Sequence, residues 1–224
     1  MNREAIQKLE SFFAQFRLVH YKKHETILRS HDRPSGVFYL KKGYTRLYTV
    51  CQDGNELTLI IYKPQDFFPI TWAITDMPVE YSMDAITPVE VFRAPQDKFQ
   101  DFVKEHPEVL YELTGRIVIR LSGLLQRMEQ LVFGNAQAKV ASILHICAER
   151  FGEKNKYGIA IQVPLTHKDI SFLVGIARET VSIEMKKLER KGFVGKLGRF
   201  LIVKNMKMLE KESAITRSLL PSRF

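Results

Sequence analysis

Two cysteines, Cys51 and Cys147, are the only thiols in this 224-residue sequence, and nearly a hundred positions separate them. That spacing offers no disulfide framework and none of the clustered ligands of a zinc or iron–sulfur site, so neither a structural metal nor a cluster is expected. Long apolar runs are missing as well. The longest, such as Leu57 to Tyr62, fall far short of the roughly 18 residues of a membrane span. Charges occupy Met1 to Phe16, where a signal peptide would carry its apolar core. The expectation is a soluble cytoplasmic protein with no membrane partner. There is also no nucleophile elbow, phosphate loop, HExxH pair or close carboxylate pair on an identified cleft, which argues against an enzyme.

What is present is apolar material for real cores, 45% of residues against 26% charged, in a length that suits two small domains. The 34 basic residues outnumber the 25 acidic ones, for a formal charge of +9. Such an excess suits a polyanion, either nucleic acid or an anionic membrane surface, and its location decides between them.

The apolar spacing changes twice along the chain. Ile6, Leu9, Phe12, Phe13 and Phe16 follow a helical repeat. From Arg17 to about Ala94, short runs of Val, Ile, Tyr, Phe and Thr alternate with turn signals, which predicts an antiparallel β domain. Its clearest hairpin pairs Tyr44–Cys51 with Glu56–Tyr62 across Asp53-Gly54, a pair suited to a tight turn with positive φ. After Pro107, Leu110, Thr114, Ile117, Leu121, Leu124, Met128 and Leu131 alternate steps of four and three, a heptad seam. Such a seam either pairs two copies of the chain or lies against the β domain. Phe133-Gly134-Asn135 ends this helix, with Gly134 and Asn135 as its C-cap and as a hinge. The domains expected are 1–107, a β domain; 108–134, the long helix and hinge; and 135–224.

The last segment reads as helix, strand, helix, turn, helix and β-hairpin, the order of a winged helix-turn-helix. Thr166 caps one helix, Gly175 marks the turn, and Arg178 to Lys191 forms the next helix, ended by Gly192. In it Val181, Met185 and Leu188 share one side, leaving Glu179, Ser182, Ile183 and Lys186 on the other with Arg178 beside them. Arginine binds guanine N7 and O6 in bidentate fashion and glutamate accepts from cytosine N4, so Arg178 and Glu179, with Ser182 and Ile183, are the candidates for base readout. Between Pro164 and Lys204, nine Lys or Arg face four Asp or Glu, a net +5 of the chain's +9. Thr166, Lys168, Lys186, Lys187, Lys191, Lys196 and Arg199 are the candidate phosphate contacts. Taken singly, each of these lysines also fits an ordinary solvated face.

The run Leu165-Thr-His-Lys-Asp-Ile-Ser-Phe-Leu-Val-Gly-Ile-Ala-Arg-Glu-Thr-Val-Ser, continuing to Gly192, closely resembles the helix-turn-helix of the bacterial cyclic-AMP receptor protein and fumarate–nitrate regulator (Crp/Fnr) family. Tyr39-Leu-Lys-Lys-Gly43 and Asp66-Phe67 resemble the β-roll landmarks of that family, and the resemblance spans about residues 5 to 205. It implies an α+β architecture: an N-terminal antiparallel β-roll that senses an effector, a long dimerisation helix and a C-terminal winged helix-turn-helix. It also implies a homodimeric transcription regulator with an inverted-repeat operator and RNA polymerase as a partner. In members that read TGTGA-type half-sites, an arginine and a glutamate matching Arg178 and Glu179 meet the bases. A third base-reading arginine is replaced here by Ile183.

The family's cyclic-nucleotide sites use a Gly-Glu pair followed about ten residues later by Arg-Ser, because a buried phosphate needs a cation. Here the corresponding segments read Phe68-Pro69-Ile70-Thr71-Trp72 and Val79-Glu80-Tyr81-Ser82, without that glutamate or arginine, and Leu124-Leu125 replace a Thr-Ser pair that meets the base. The expectation is therefore an effector of unknown identity that is not cyclic AMP. Phe67, Phe68, Ile70, Trp72, Tyr81, Leu124 and Leu125 either line an apolar effector pocket or form β-roll core. Two rival functions stand beside sensing: a constitutive DNA-binding regulator with a vestigial sensor, and a ligand-binding module acting on a protein partner.

Overall fold

The structure, a computed structural model, describes residues 3–213. The chain forms two compact units, one ending at Ser122 and the other beginning at Gly123, so that the division falls inside a helix. The tail of the expected 135–224 domain beyond Ser213 lies outside the described residues.

The first unit opens with α1 (Arg3–Phe13), which buries Ala5, Leu9 and Phe13 at helical spacing. The strands that follow are β1 (Arg17–Tyr21), β2 (Thr26–Leu28), β3 (Val37–Lys42), β4 (Thr45–Val50), β5 (Glu56–Tyr62) and β6 (Phe67–Phe68), then helix α2 (Ile70–Thr75), β7 (Ser82–Ala85) and β8 (Val89–Ala94). All their pairings are antiparallel, in two four-stranded sheets ordered β1-β8-β3-β6 and β2-β7-β4-β5. The expected hairpin is β4 with β5, running from Thr45 opposite Tyr62 to Val50 opposite Glu56, and Gly54 in its turn has φ of 78°. Gly43, between β3 and β4, is required sterically: its φ is +90° and a Cβ there would lie 2.4 Å from the Pro88 carbonyl oxygen.

Aromatic side chains fill the space between the sheets and α1. Phe13, Phe38, Phe67, Phe68 and Phe99 are fully buried, each contributing about 1.5–3 kcal/mol by its removal from water. Trp72 joins the same cluster. One polar exception is an ion network between strands: Arg46 on β4 binds Asp84 on β7 through two hydrogen bonds of 2.8 Å and Glu56 on β5 at 2.7 Å.

After α3 (Gln96–Glu105) comes α4 (Pro107–Phe133), a 27-residue helix. Within the first unit it buries Val109 and Leu113 in the core. Arg116 donates to the Gln65 carbonyl at 2.8 Å, and Arg120 pairs with the buried Asp66, whose carboxylate also accepts from the Lys63 N–H. Asp66 thus anchors the β5–β6 loop to α4.

These inward arginines change the reading of the helix. Of the expected seam, Leu110, Thr114, Leu121 and Met128 are exposed in the single chain, and Ile117, Leu124 and Leu131 are half-buried. The exposed line is Tyr111, Thr114, Val118, Leu121, Leu125, Met128 and Val132, with Tyr111 83% and Leu125 58% exposed. It too steps by three and four, and is rotated toward solvent from the expected one. A pattern of apolar residues alone could not place it, since Arg116 and Arg120 occupy the inner face.

The second unit contains the end of α4, then α5 (Ala136–Phe151), β9 (Gly152–Asn155), β10 (Gly158–Ile161), α6 (His167–Val174), α7 (Arg178–Arg190), β11 (Val194–Leu197), β12 (Phe200–Val203) and α8 (Met206–Glu212). Its strands form one antiparallel sheet ordered β11-β12-β10-β9. Contrary to expectation, Asn135 does not cap the C-terminus of α4. It is the N-cap of α5, its side chain accepting from the Ala138 N–H at 2.9 Å, and Gly134 is not left-handed. Cys147 packs in the core of this unit, where burial pushes its thiol up to about 12, so it stays protonated and inert. Among the described residues no helix is long and apolar enough to cross a membrane.

Candidate nucleic-acid interface

The site is built on α6 and α7 and the turn between them. Thr166 closes a reciprocal cap on α6: its hydroxyl accepts from the Asp169 N–H at 3.2 Å, and the Asp169 carboxylate accepts from the Thr166 N–H at 2.7 Å. Gly175 ends α6 in the left-handed conformation, φ 64°, its N–H returning to the Ser171 carbonyl. Three residues later α7 begins, with Ala177 at its N-cap supplying no side-chain acceptor.

On α7, Val181, Met185 and Leu188 are buried as their spacing requires, and Arg178, Glu179 and Lys186 are exposed together with Ile183, which is 54% exposed. Ser182 differs from its neighbours. It is half-buried, and its hydroxyl donates to the Arg178 carbonyl at 3.0 Å while lying 2.8 Å from Nδ1 of His167. With that donation made, Nδ1 carries the imidazole proton and His167 ties the start of α6 to the middle of α7. Glu184 is a second surprise on this helix: it is buried, and its carboxylate accepts from Lys187 at 2.8 Å. Glu184, three residues from Val181 and four from Leu188, lies on the buried side by its spacing, and its residue type hides this.

The candidate phosphate contacts fall into two groups. Lys187 is held by Glu184, and Lys191 by Glu212 at 2.6 Å, so both cations are partly balanced within the domain. Lys168, Lys186, Lys196 and Arg199 are exposed on α6, α7 and the β11–β12 hairpin, with Lys168 5.4 Å from the Phe172 ring and Arg199 4.9 Å from the Phe200 ring. Thr166 is exposed as well, its hydroxyl engaged in the cap.

His167 holds its imidazole below the ordinary 6.5, first through burial and then through the charge of Lys196, with Arg178 and Lys186 acting in the same sense and Glu189 against it. The unfolded chain therefore binds this proton more readily than the folded one, and the stability gained is complete above about pH 6.5 and is lost as pH falls through the lowered value. The melting temperature of the wild type should exceed that of His167→Ala by a margin that narrows between pH 7.5 and 5.5, measured by circular dichroism. A constant margin would show that this proton has no part in the stability.

The aromatic residues of the first unit are placed differently. Phe67, Phe68 and Trp72 are buried core, Ile70 packs at its edge, and Tyr81 is 40% exposed. Leu124 and Leu125 lie on α4 beyond Gly123, half-buried and exposed respectively. No Lys or Arg occurs between Lys63 and Arg93, and the nearby Arg46 is already bound by Asp84 and Glu56.

Residues 18–106 match the cyclic nucleotide-binding domain family and residues 138–212 match the Crp-like helix-turn-helix domain family. The chain belongs to the Crp/Fnr family of transcription regulators. It is 24% identical over 196 residues to the cAMP-activated global transcriptional regulator CRP of Pasteurella multocida, covering 87% of this chain and 93% of the relative. It is 28% identical over 187 residues to the nitrogen fixation regulation protein FixK of Bradyrhizobium diazoefficiens, covering 84% and 78%. In fold it is similar to FixK2 from Bradyrhizobium japonicum, with a TM-score of 0.76 at 22% identity, covering 90% and 98%. This Crp/Fnr regulator is thus a DNA-binding transcription regulator. Its relatives regulate transcription, and the family is not enzymatic.

Proposed function

We propose that this regulator acts in the cytoplasm as a homodimer on an inverted repeat, with Arg178 and Glu179 reading bases in each half-site and RNA polymerase as its protein partner. The observation that carries the reading is the exposed face of α7. There Arg178 and Glu179 project beside Ile183 at the start of a helix whose opposite side is core. With Ser182 engaged by His167, base readout rests on the first two. The exposed line from Tyr111 to Val132 supplies the apolar face by which two copies would pair. Pairing would place two recognition helices about 34–36 Å apart, one turn of the duplex.

The effector acting on the first unit is proposed to be something other than cyclic AMP, since no Lys or Arg for a phosphate lies between Lys63 and Arg93. The burial of Phe67, Phe68 and Trp72 favours a second reading, a regulator that binds DNA without any effector. Selection of tight binders from random duplexes tests the operator. An inverted repeat with G·C pairs in each half-site is expected, whereas enrichment of a single asymmetric site would defeat the dimeric reading. Melting with and without cyclic AMP, followed by a panel of apolar and aromatic small molecules, separates the two effector readings. A rise with cyclic AMP would reject the first, and a rise with an apolar compound the second.

A further inference from the structure

Arg127 lies on the last part of α4, inside the second unit, and its Nη2 donates to the carbonyl of Leu173. Leu173 is in the final turn of α6, and its carbonyl is one of the four that a helix leaves without an intrahelical partner. The next connection is the left-handed Gly175 and the turn into α7. A guanidinium at this end of α6 also meets the negative pole of the helix dipole. Burial brings its pKa down to about 10, so it remains charged at neutral pH while held away from water. One helical turn nearer the C-terminus of α4, Gln130 donates to the Ser213 carbonyl at 2.9 Å, a second tie from the same helix into the same unit.

A buried cation is a poor source of stability, because the cost of taking it out of water offsets much of what its partners return. Its value lies in geometry: a fork donor in a packed site admits one arrangement of the parts it joins. We infer that Arg127 is a positioning residue that locks the helix-turn-helix to the end of α4, and so sets the spacing and relative orientation at which a dimer presents its two α7 helices. The inference rests on the dimeric reading above. Arg127 lies on α4, and its bond to the Leu173 carbonyl ties that helix to α6.

The test compares wild type, Arg127→Met and Arg127→Lys on the selected operator, on the same operator with one base pair added or removed between half-sites, and on a single half-site. The wild type should prefer the native spacing. Arg127→Met should cut that preference by about tenfold while binding the single half-site as the wild type does, with a melting temperature no lower. Arg127→Lys keeps the charge and a donor without the fork, and should restore part of the preference. A Met variant that keeps the wild-type preference overturns the inference, and so does one that weakens single and paired sites equally. Should the Met variant fail to fold, an unchanged preference in Arg127→Lys overturns it equally. A wild type indifferent to spacing would remove the dimeric reading and this inference together.

Discussion

Replacing Arg178 with alanine is expected to weaken binding to the selected operator by at least about 30-fold, from roughly 1–3 kcal/mol lost in each of two half-sites. The slope of affinity against salt should stay steep, because the lysines that displace counterions remain. Arg178 is exposed in the first turn of α7, and its carbonyl is held by Ser182, so the backbone that presents it is fixed from behind. The loss should therefore fall on particular bases, and random duplex should be bound about as well as by the wild type. Lys186→Ala is the contrasting case. Lys186 is exposed one helical turn beyond Ser182, and a lysine that neutralises phosphate would, when removed, weaken all duplexes alike and reduce the salt slope by about 0.9 for each phosphate left without its cation. If Arg178→Ala behaved in that manner, Arg178 would be a phosphate contact and base readout would have to be sought elsewhere on α7.

Those parts of the site that rest on short-range rules were readable in the sequence. Thr166 and Asp169 stand at capping-box spacing, Gly175 sits where a left-handed residue is needed, and Val181, Met185 and Leu188 follow the helical repeat. The β4–β5 hairpin was equally plain from Asp53-Gly54 between two β-rich runs. What escaped were contacts between residues distant in sequence. His167 and Ser182 are fifteen positions apart and meet only because α6 and α7 pack together, and the two-residue strand at Phe67 needs β3 as its partner. Burial of Glu184 runs against its residue type and becomes intelligible only with Lys187 folded over it. The arginines of α4 misled for the same reason, since Arg116, Arg120 and Arg127 would each be assigned to solvent by type, yet they reach the Gln65 carbonyl, the Asp66 carboxylate and the Leu173 carbonyl outside α4.

The choice between the expected seam and the exposed line of α4 makes the second large effect a test of rotation as well as of pairing. Leu125→Glu places a charge on the exposed line of α4, and across a two-fold axis it would face the same face of the other copy. A loss of about 2 kcal/mol in each copy, doubled by symmetry, raises the dimer dissociation constant on the order of a thousandfold. Sedimentation equilibrium should then show a monomer whose melting at low concentration matches that of the dissociated wild type, because the substituted side chain touches little of its own chain. Leu124→Glu differs by a single position and should behave otherwise. Leu124 is half-buried, so its substitution places a charge in apolar surroundings and should lower the melting temperature of the monomer itself. Operator binding should fall in both variants, but only Leu125→Glu should still bind a single half-site like the wild type. The opposite pattern, with Leu124→Glu dissociating the dimer and Leu125→Glu leaving it intact, would return the seam to the line running through Ile117, Leu124 and Leu131.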